Sequence, residues 1–365
     1  MPDDLQNLNK LRLLDISVCF GLRIIPPNLI SSLVSLEELY IRKSLIKKLE
    51  KRGTDKGQNS FRSELKNLHH LKVVDLSIPC VSDFPSYFFF DRLKDYKIEI
   101  GDFEMFPFGF RMPNKYDELR FLALQLKDGI NVHSQNGIKL LFKTVQSLLL
   151  GKVGVQNIVK ELNVDGFPDL KHLSIINNSD VKYVNSTELS SCVNVFPNLE
   201  SLCLYSLMNL EIICYGPVTV TSFAKLKTIK IDMCHQLKNL FSFYTIQIST
   251  GAETREISEC NSYVNNFLAN LEMIEVYECV SLEEIFQIQV GYSKVEFLRL
   301  HTLTLQSLPS FTCFSTKVER SCWPHLTEAQ TTTRSRTKVS TEEDHHSDKA
   351  PPLFDELVCH YIFFI

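Results

Sequence analysis

The sequence predicts an α/β solenoid in which about 11 irregular repeats form a curved parallel β-sheet horseshoe, followed by a disordered C-terminal tail. Three observations predict it: a short apolar pattern that recurs along the chain, a second apolar pair in the same register, and a polar, charged end. We place the repeat domain at residues 5–316 and the disordered or truncated tail at residues 317–365.

The repeat frame is a middle apolar residue with another three positions before it and a third two positions after it, as in Leu11, Leu14 and Ile16. The middle residues of the successive units are Leu14, Leu39, Val74, Tyr96, Leu122, Leu148, Leu173, Leu202, Ile229, Ile274 and Leu303. Most of them are 22 to 29 residues apart, which is the spacing of leucine-rich repeats. Two longer gaps, of 35 and 45 residues, contain polar insertions at about residues 50–64 and 244–266.

A second apolar pair recurs eight and eleven residues after the middle residue, although it did not define the frame. Val181 and Val184 form it in the seventh unit, and Leu210 and Ile213 form it in the eighth. Residues two apart on a strand share one face, so the first pattern predicts a short strand with one apolar face. We expect the second pair to enter the interior from the returning segment, and neighbouring units to stack because one unit alone cannot bury its apolar face.

Cysteine recurs at one place in the repeat, five residues after the middle residue, at Cys19, Cys234 and Cys279, with Asn178 at the matching position. The register predicts side chains buried at a turn, where they satisfy backbone groups, rather than nucleophiles or metal ligands. The eleven cysteines are dispersed and form no CxxC pair, which favours a reducing compartment. We therefore expect a cytoplasmic protein.

Several strings are more specific than leucine spacing. They include Leu11–Ser17, Phe196–Leu202 and Cys279–Ile285, and related strings occupy residues 90–102 and 166–173. Over about residues 5–314 they resemble the leucine-rich-repeat region of the plant coiled-coil nucleotide-binding (NB-LRR) disease-resistance proteins. The resemblance implies a sensor module that acts in the defence response by binding a pathogen effector or a guarded host protein, and that restrains a nucleotide-driven switch.

The sequence departs from that family ahead of the repeats. Family members carry a coiled coil and a nucleotide-binding domain there, whereas Met1 lies thirteen residues before Leu14. No GxxxxGK[ST] loop occurs in the sequence, and Gly151-Lys152 lacks both the earlier glycine and the hydroxyl residue. We expect the chain to bind without hydrolysing a nucleotide by itself, as a fragment, a truncated gene product or a partial gene model.

Signatures of catalysis and of cofactor binding are missing from the sequence. HExxH, GxSxG and GxGxxG do not occur, and Asp344-His345-His346 lies in the polar tail without metal-ligand spacing. The acidic pairs Glu37-Glu38 and Glu283-Glu284 are expected at solvated edges, because adjacent residues on a strand point apart. A net charge of -4 and the lack of a long apolar run favour neither nucleic acid nor a membrane span. We expect no enzyme, cofactor or metal.

Three other kinds of non-enzymatic protein remain as alternatives. A leucine-rich-repeat substrate adaptor of a ubiquitin ligase needs an N-terminal helical module, for which the four residues before Leu5 leave no room; a generic protein-interaction scaffold needs none. A secreted repeat receptor has regular units with glycine before Ile-Pro, whereas Ile24 precedes Ile25-Pro26 in this irregular array.

A protein-binding surface is predicted on the strand residues that flank the inward ones, because these line the concave side of such a sheet. Tyrosine and arginine among them are residue types enriched at interface hot spots. The candidate residues are Glu38, Tyr40, Arg42, His172, Tyr205, Lys230, Asp232, Glu275 and Tyr277. The expected partner is a protein: an effector, a guarded host protein, or the nucleotide-binding domain of a receptor.

Overall fold

Eleven parallel strands form the main sheet of the protein, seen in a computed structural model. The structure describes residues 6–17, 19, 26, 28–41, 65–78, 81, 84, 92–101, 120–126, 136–186, 194–215, 221–243, 270–288 and 298–315. The main-sheet strands are β1 (Leu13–Asp15), β2 (Glu38–Ile41), β3 (Val73–Ile78), β4 (Asp95–Gly101), β5 (Phe121–Gln125), β6 (Ser147–Gly151), β7 (His172–Ile176), β9 (Ser201–Tyr205), β11 (Thr228–Asp232), β13 (Met273–Tyr277) and β15 (Thr302–Gln306). They lie side by side in this order, so each repeat hydrogen-bonds to the next.

A second parallel sheet runs along the later repeats. Its strands are β8 (Tyr183–Ser186), β10 (Ile212–Tyr215), β12 (Phe241–Phe243), β14 (Glu284–Ile288) and β16 (Cys313–Ser315). The described helices are short and lie between main-sheet strands: α1 (Leu29–Ser32), α2 (Asn136–Thr144) and α3 (Ile158–Leu162). One 3₁₀ turn covers Leu65–Asn67. The described chain is therefore a solenoid whose core lies between the main sheet and the returning segments.

The predicted repeat frame is confirmed, because each of the eleven main-sheet strands contains one predicted middle residue. These side chains face the core: Leu39, Leu122 and Ile229, for example, are fully buried. The later apolar pair is buried as well, as Val181 and Val184 show in the seventh unit. The sequence did not predict that this returning segment would form a hydrogen-bonded sheet of its own.

The register between β4 and β5 differs from the predicted frame. The frame aligns Tyr96 with Leu122, whereas Leu122 pairs with Ile98 in the sheet. The displacement is two residues, so every side chain keeps its face. β4 presents three buried residues to the core, Tyr96, Ile98 and Ile100, and either alignment would therefore bury an apolar pair.

A column of phenylalanines fills the core behind the sheet. Neighbouring ring centroids lie 5.5 to 6.0 Å apart, and the rings are fully buried. The column consists of Phe142, Phe167, Phe196, Phe223, Phe241 and Phe286. Aromatic pairs at this separation stabilise each other beyond the area they bury. The column therefore joins consecutive repeats through side-chain packing, in addition to the backbone ladder.

The turn after each later strand has a fixed form. The first residue past β9, β11 and β13 has left-handed backbone geometry, with φ of 53° at Ser206, 54° at Met233 and 51° at Glu278. Its N–H donates to the last residue of the next strand: Ser206 to the Asp232 carbonyl at 2.9 Å, and Met233 to the Tyr277 carbonyl at 3.1 Å. The left-handed conformation costs a non-glycine residue about 1–2 kcal/mol, which these hydrogen bonds and the surrounding packing offset.

The recurrent cysteine and asparagine positions follow this turn residue. Asn178, Cys234 and Cys279 are buried, as predicted. The Cys279 thiol donates to the Tyr277 carbonyl at 3.3 Å, and the Cys234 thiol donates to the Asp232 carbonyl at 3.6 Å. The prediction was wrong for Cys19, which is exposed. Its repeat contributes β1, the edge strand of the sheet, so a neighbour covers it on one side only.

Thiol reactivity should follow this burial. We expect an alkylating reagent to modify Cys19 rapidly and to spare Cys214, Cys234 and Cys279 until denaturant is added. Burial raises the pKa of the Cys214 thiol to about 12 and raises the pKa of Cys234 well above its usual value. Mass spectrometry of digested, timed samples resolves each site, with Cys19 as the internal control. Modification of Cys234 at the rate of Cys19 would contradict the buried-turn assignment.

Arg42, the polar insertions and the tail from residue 317 onward lie outside the described residues. The boundary at residue 316 and the disorder of the tail therefore stay predictions.

Candidate protein-binding face

The candidate residues lie on the outward face of the main sheet, meaning the side of each strand that points away from the core. On β11, for example, Thr228, Lys230 and Asp232 are accessible while Ile229 and Ile231 between them are fully buried. Of the nine predicted residues, all except Arg42 are described and none is fully buried. The sheet divides them into three groups, on β2, on β7 and on β9 to β13.

The first group is Glu38 and Tyr40 on β2. The Tyr40 hydroxyl donates to Glu38 Oε2 at 2.9 Å. Asp15 and Asp75 are the Cα partners of Tyr40 on the two neighbouring strands. Burial, helped by the Glu38 hydrogen bond, raises the pKa of Tyr40 to about 12. This group is therefore an acidic patch around one tyrosine that remains protonated at neutral pH.

His172 is the one candidate residue on β7, where Ser147 and Ser201 are its Cα partners on the neighbouring strands. Five strand-to-strand steps separate it from β2, or about 24 Å along the sheet. The structure therefore does not bring His172 together with Glu38 and Tyr40.

The other five residues form one continuous patch on β9, β11 and β13. Tyr205, Asp232 and Tyr277 are Cα partners on three adjacent strands, and we call them the tyrosine–aspartate row. Lys230 and Glu275 are also Cα partners, two residues earlier on the same strands, and their charged groups lie 2.8 Å apart. Adjacent strands are about 4.8 Å apart, so the row spans about 10 Å between its two tyrosines.

The electrostatics of the row come from partial burial and from neighbouring carboxylates. Burial, and then Asp232, raises the pKa of Tyr205. Burial, and then Glu275, raises the pKa of Tyr277. Burial, and then the Glu278 charge, raises the pKa of Asp232, while the Met233 N–H and His235 oppose that shift. The row thus combines two neutral phenols with a carboxylate that has lost part of its hydration.

Hydrogen bonds to its carbonyl oxygens hold the backbone of the row in place. The carbonyls of all three residues accept an N–H from the turn of the preceding repeat, and those of Asp232 and Tyr277 also accept the cysteine thiols described above. A rigid backbone lowers the entropy lost when a side chain binds a partner. The patch is accordingly preorganised.

The centre of the outward face is apolar and buried, which the sequence analysis missed. Phe121, Ala123, Leu149 and Ile176 form a second cluster, separate from the main core, with Tyr205 packed against it. The Lys97 ammonium lies 5.9 Å from the centroid of the Phe121 ring. Nearly continuous apolar runs in β5 and β6 were the available signal, since a strand buried on both faces does not alternate.

The acidic pairs Glu37-Glu38 and Glu283-Glu284 differ in their exposure and in their hydrogen-bond partners. Glu37 accepts hydrogen bonds from Arg12 at 2.6 Å and from Lys72 at 2.8 Å, and these hydrogen bonds, that from Lys72 first, lower its pKa. Glu283 is exposed, whereas Glu284 is buried and does not lie at the solvated edge that the sequence predicted. It begins β14, where Cys313 of β16 is its Cα partner.

Within the described ranges, no group of three or more His, Cys, Asp or Glu side chains is placed to hold a metal ion. None of the described helices is long and apolar enough to cross a membrane. Asp344, His345 and His346 of the polar tail lie outside these ranges.

Comparison with known proteins gives three findings. Residues 116–261 match the family model described as plant disease resistance protein RPS2-like, leucine-rich repeats. The disease resistance protein At4g27190 of Arabidopsis thaliana is 28% identical over 356 residues, an alignment that covers 89% of this chain and 34% of that protein. The leucine-rich-repeat protein LIC12759 of Leptospira interrogans aligns with 87% of this chain and 94% of its own, at 15% identity and a TM-score of 0.35.

These findings concern the repeats. The chain spans about a third of the length of the curated relative it matches. The fold assignment comes from the strand order and register of this chain itself. The resemblance of this chain to the leucine-rich-repeat regions of plant disease resistance proteins, which its own motifs predicted, is confirmed.

Proposed function

We propose that this chain is the protein-recognition region of an intracellular plant disease-resistance receptor, and that it acts in the defence response by binding a protein on its outward face. The observation that carries the proposal is the patch on β9, β11 and β13, where five predicted surface residues lie side by side on a rigid backbone. Leucine-rich repeats generally serve as protein-interaction modules, and the proposal requires no catalytic step.

The residue types of the patch suit a protein partner. Tyrosine offers a large amphipathic contact area and loses little side-chain entropy on binding, because it has only two rotatable side-chain bonds. The Lys230–Glu275 pair neutralises itself, and such pairs at an interface contribute to specificity and orientation more than to affinity. The patch therefore has the composition of a binding hot spot with a polar surround.

Three partners fit the proposal: a pathogen effector, a guarded host protein, and the nucleotide-binding domain of a receptor. All three belong to the cytoplasm, which is the location we propose for this chain because its eleven cysteines are dispersed and form no CxxC pair.

Alanine at both Tyr205 and Tyr277 should abolish partner capture. Each hot-spot tyrosine contributes about 2 kcal/mol, and two of them lower the affinity by far more than tenfold. We would immobilise the wild-type chain and the double variant, incubate them with extract from infected and uninfected plant tissue, and identify retained proteins by quantitative mass spectrometry.

A matched control is available on the second sheet. Tyr183 and Tyr215 are accessible tyrosines on β8 and β10, so alanine at both removes the same chemistry from another face. The proposal requires that this control retain the proteins captured by the wild type. Equal loss in both double variants, with melting temperatures unchanged, would place the binding surface elsewhere.

A further inference from the structure

The tyrosine–aspartate row places Asp232 between Tyr205 and Tyr277, on three consecutive strands in register. Tyr205 and Tyr277 are each a Cα partner of Asp232, so the Cα atom of each tyrosine lies about 4.8 Å from that of Asp232. The fixed backbone of the row allows the three side chains to act as one unit. This arrangement is built by the repeat, since each member is the last residue of its strand.

The charge around the row is negative. Glu278 follows Tyr277 directly and is exposed, and its charge acts on Asp232. The nearest cation on the same strands, Lys230, lies 2.8 Å from Glu275, which balances its charge. An anionic group would be repelled here, whereas a cation would offset both the Asp232–Glu278 repulsion and the lost hydration of Asp232.

We propose that the row binds an arginine side chain that the partner protein presents. A guanidinium donates paired hydrogen bonds to a carboxylate and lies flat against an aromatic ring, and the row offers both features within about 10 Å. A lysine ammonium is a compact, strongly hydrated point charge and cannot stack flat against an aromatic ring as a guanidinium does. This inference rests on the proposed function and names the chemistry of the contact that the outward face makes.

The proposal is tested with a defined probe and the full chain. The probe is a fluorescent peptide of alternating arginine and serine, and the comparison peptides replace arginine by citrulline, lysine or glutamate. Binding is followed by fluorescence anisotropy at low and moderate salt. We expect the arginine peptide to bind about tenfold more tightly than the citrulline peptide, and more tightly than the lysine peptide.

Variants of the row locate the binding. Asp232→Asn removes the charge but keeps the shape, and it should weaken arginine-peptide binding about tenfold. Asp180→Asn is the matched control. Asp180 is exposed and lies in the turn between β7 and β8. Its substitution changes the net charge by the same amount, and the variant should bind the arginine peptide like the wild type. Tyr277→Phe should retain binding and Tyr277→Leu should lose it, because the ring supplies the contact.

Three results would overturn the inference: equal affinity for the arginine and citrulline peptides, equal effects of Asp232→Asn and Asp180→Asn, or equal affinity of Tyr277→Phe and Tyr277→Leu. Should Asp232→Asn fold poorly, the Phe and Leu variants at Tyr277 still decide the question. If Tyr205 and Tyr277 prove essential for partner capture while the peptide shows none of these differences, the recognition function stands and only the arginine assignment fails.

Discussion

Replacing Gly101 by alanine is expected to lower the free energy of unfolding by about 4 kcal/mol or more. Gly101 ends β4 with φ of +110°, a conformation that residues with a side chain rarely adopt. A Cβ atom added there would lie 1.7 Å from the Gln125 carbonyl oxygen on β5. Since that neighbour is backbone, relief requires β4 and β5 to separate where the register is displaced by two residues. Urea denaturation followed by circular dichroism measures the change.

Gly154→Ala is the matched control. Gly154 also has a positive φ, +66°, but a Cβ atom there meets nothing within 4 Å. Alanine at this position should cost about 1 kcal/mol, which is the conformational penalty alone. Equal losses at the two glycines would contradict the close approach of β4 and β5.

Truncation of Phe196 to alanine should lower the free energy of unfolding by about 3–5 kcal/mol. Phe196 is fully buried, and its ring lies 5.5 Å from those of both Phe167 and Phe223. The backbone at residue 196 has a φ of 52°, which is left-handed and equally unfavourable for phenylalanine and alanine. The substitution therefore reports on packing more than on backbone strain. Because the stability of a repeat array is approximately a sum over neighbouring units, a cavity here weakens the interfaces with both adjacent repeats.

Two further substitutions separate packing from hydrophobicity. Phe196→Leu keeps an apolar side chain but removes the aromatic contacts, and it should cost less than alanine does. Val164→Ala, at a position that is 65% exposed, should change stability by less than about 0.5 kcal/mol. A loss at Phe196 no larger than the loss at Val164 would show that the column does not hold the repeats together.

Much of the repeat is predictable from local pattern. The middle residues of the frame each fall in a main-sheet strand because inward and outward positions alternate along any strand, whatever its neighbours. The buried turn positions at Asn178, Cys234 and Cys279 follow for the same reason, since they lie a fixed number of residues after the strand. The exposure of Cys19 shows the limit of this argument: burial also depends on having a repeat on either side.

The sequence predicted which residues of the candidate site face outward, but not which of them lie next to one another. Alternation assigned Tyr40, His172 and Tyr277 equally to the surface. Strand order then separated Tyr40 from His172 and from the β9–β13 patch, because distance across a parallel sheet depends on the number of intervening strands. His172 lies on β7, directly beside β9, but it is level with Ser201, four residues before Tyr205. The burial of Phe121 and Leu149 on the outward face is likewise a tertiary fact, which the apolar runs of β5 and β6 permit but do not require.

The sequence by itself determined the repeat unit, the face to which each strand residue belongs, and the resemblance to plant disease-resistance repeats. Tertiary structure alone decided that Leu122 pairs with Ile98, two residues away from the alignment that the repeat frame predicts. It also decided the second sheet and the placement of Tyr205, Asp232 and Tyr277 in one row. The physical reason is that side-chain alternation is set within a few residues of backbone. Register and adjacency are set by hydrogen bonds and packing between segments about 25 residues apart or more, and a shift of two residues leaves the local pattern unchanged.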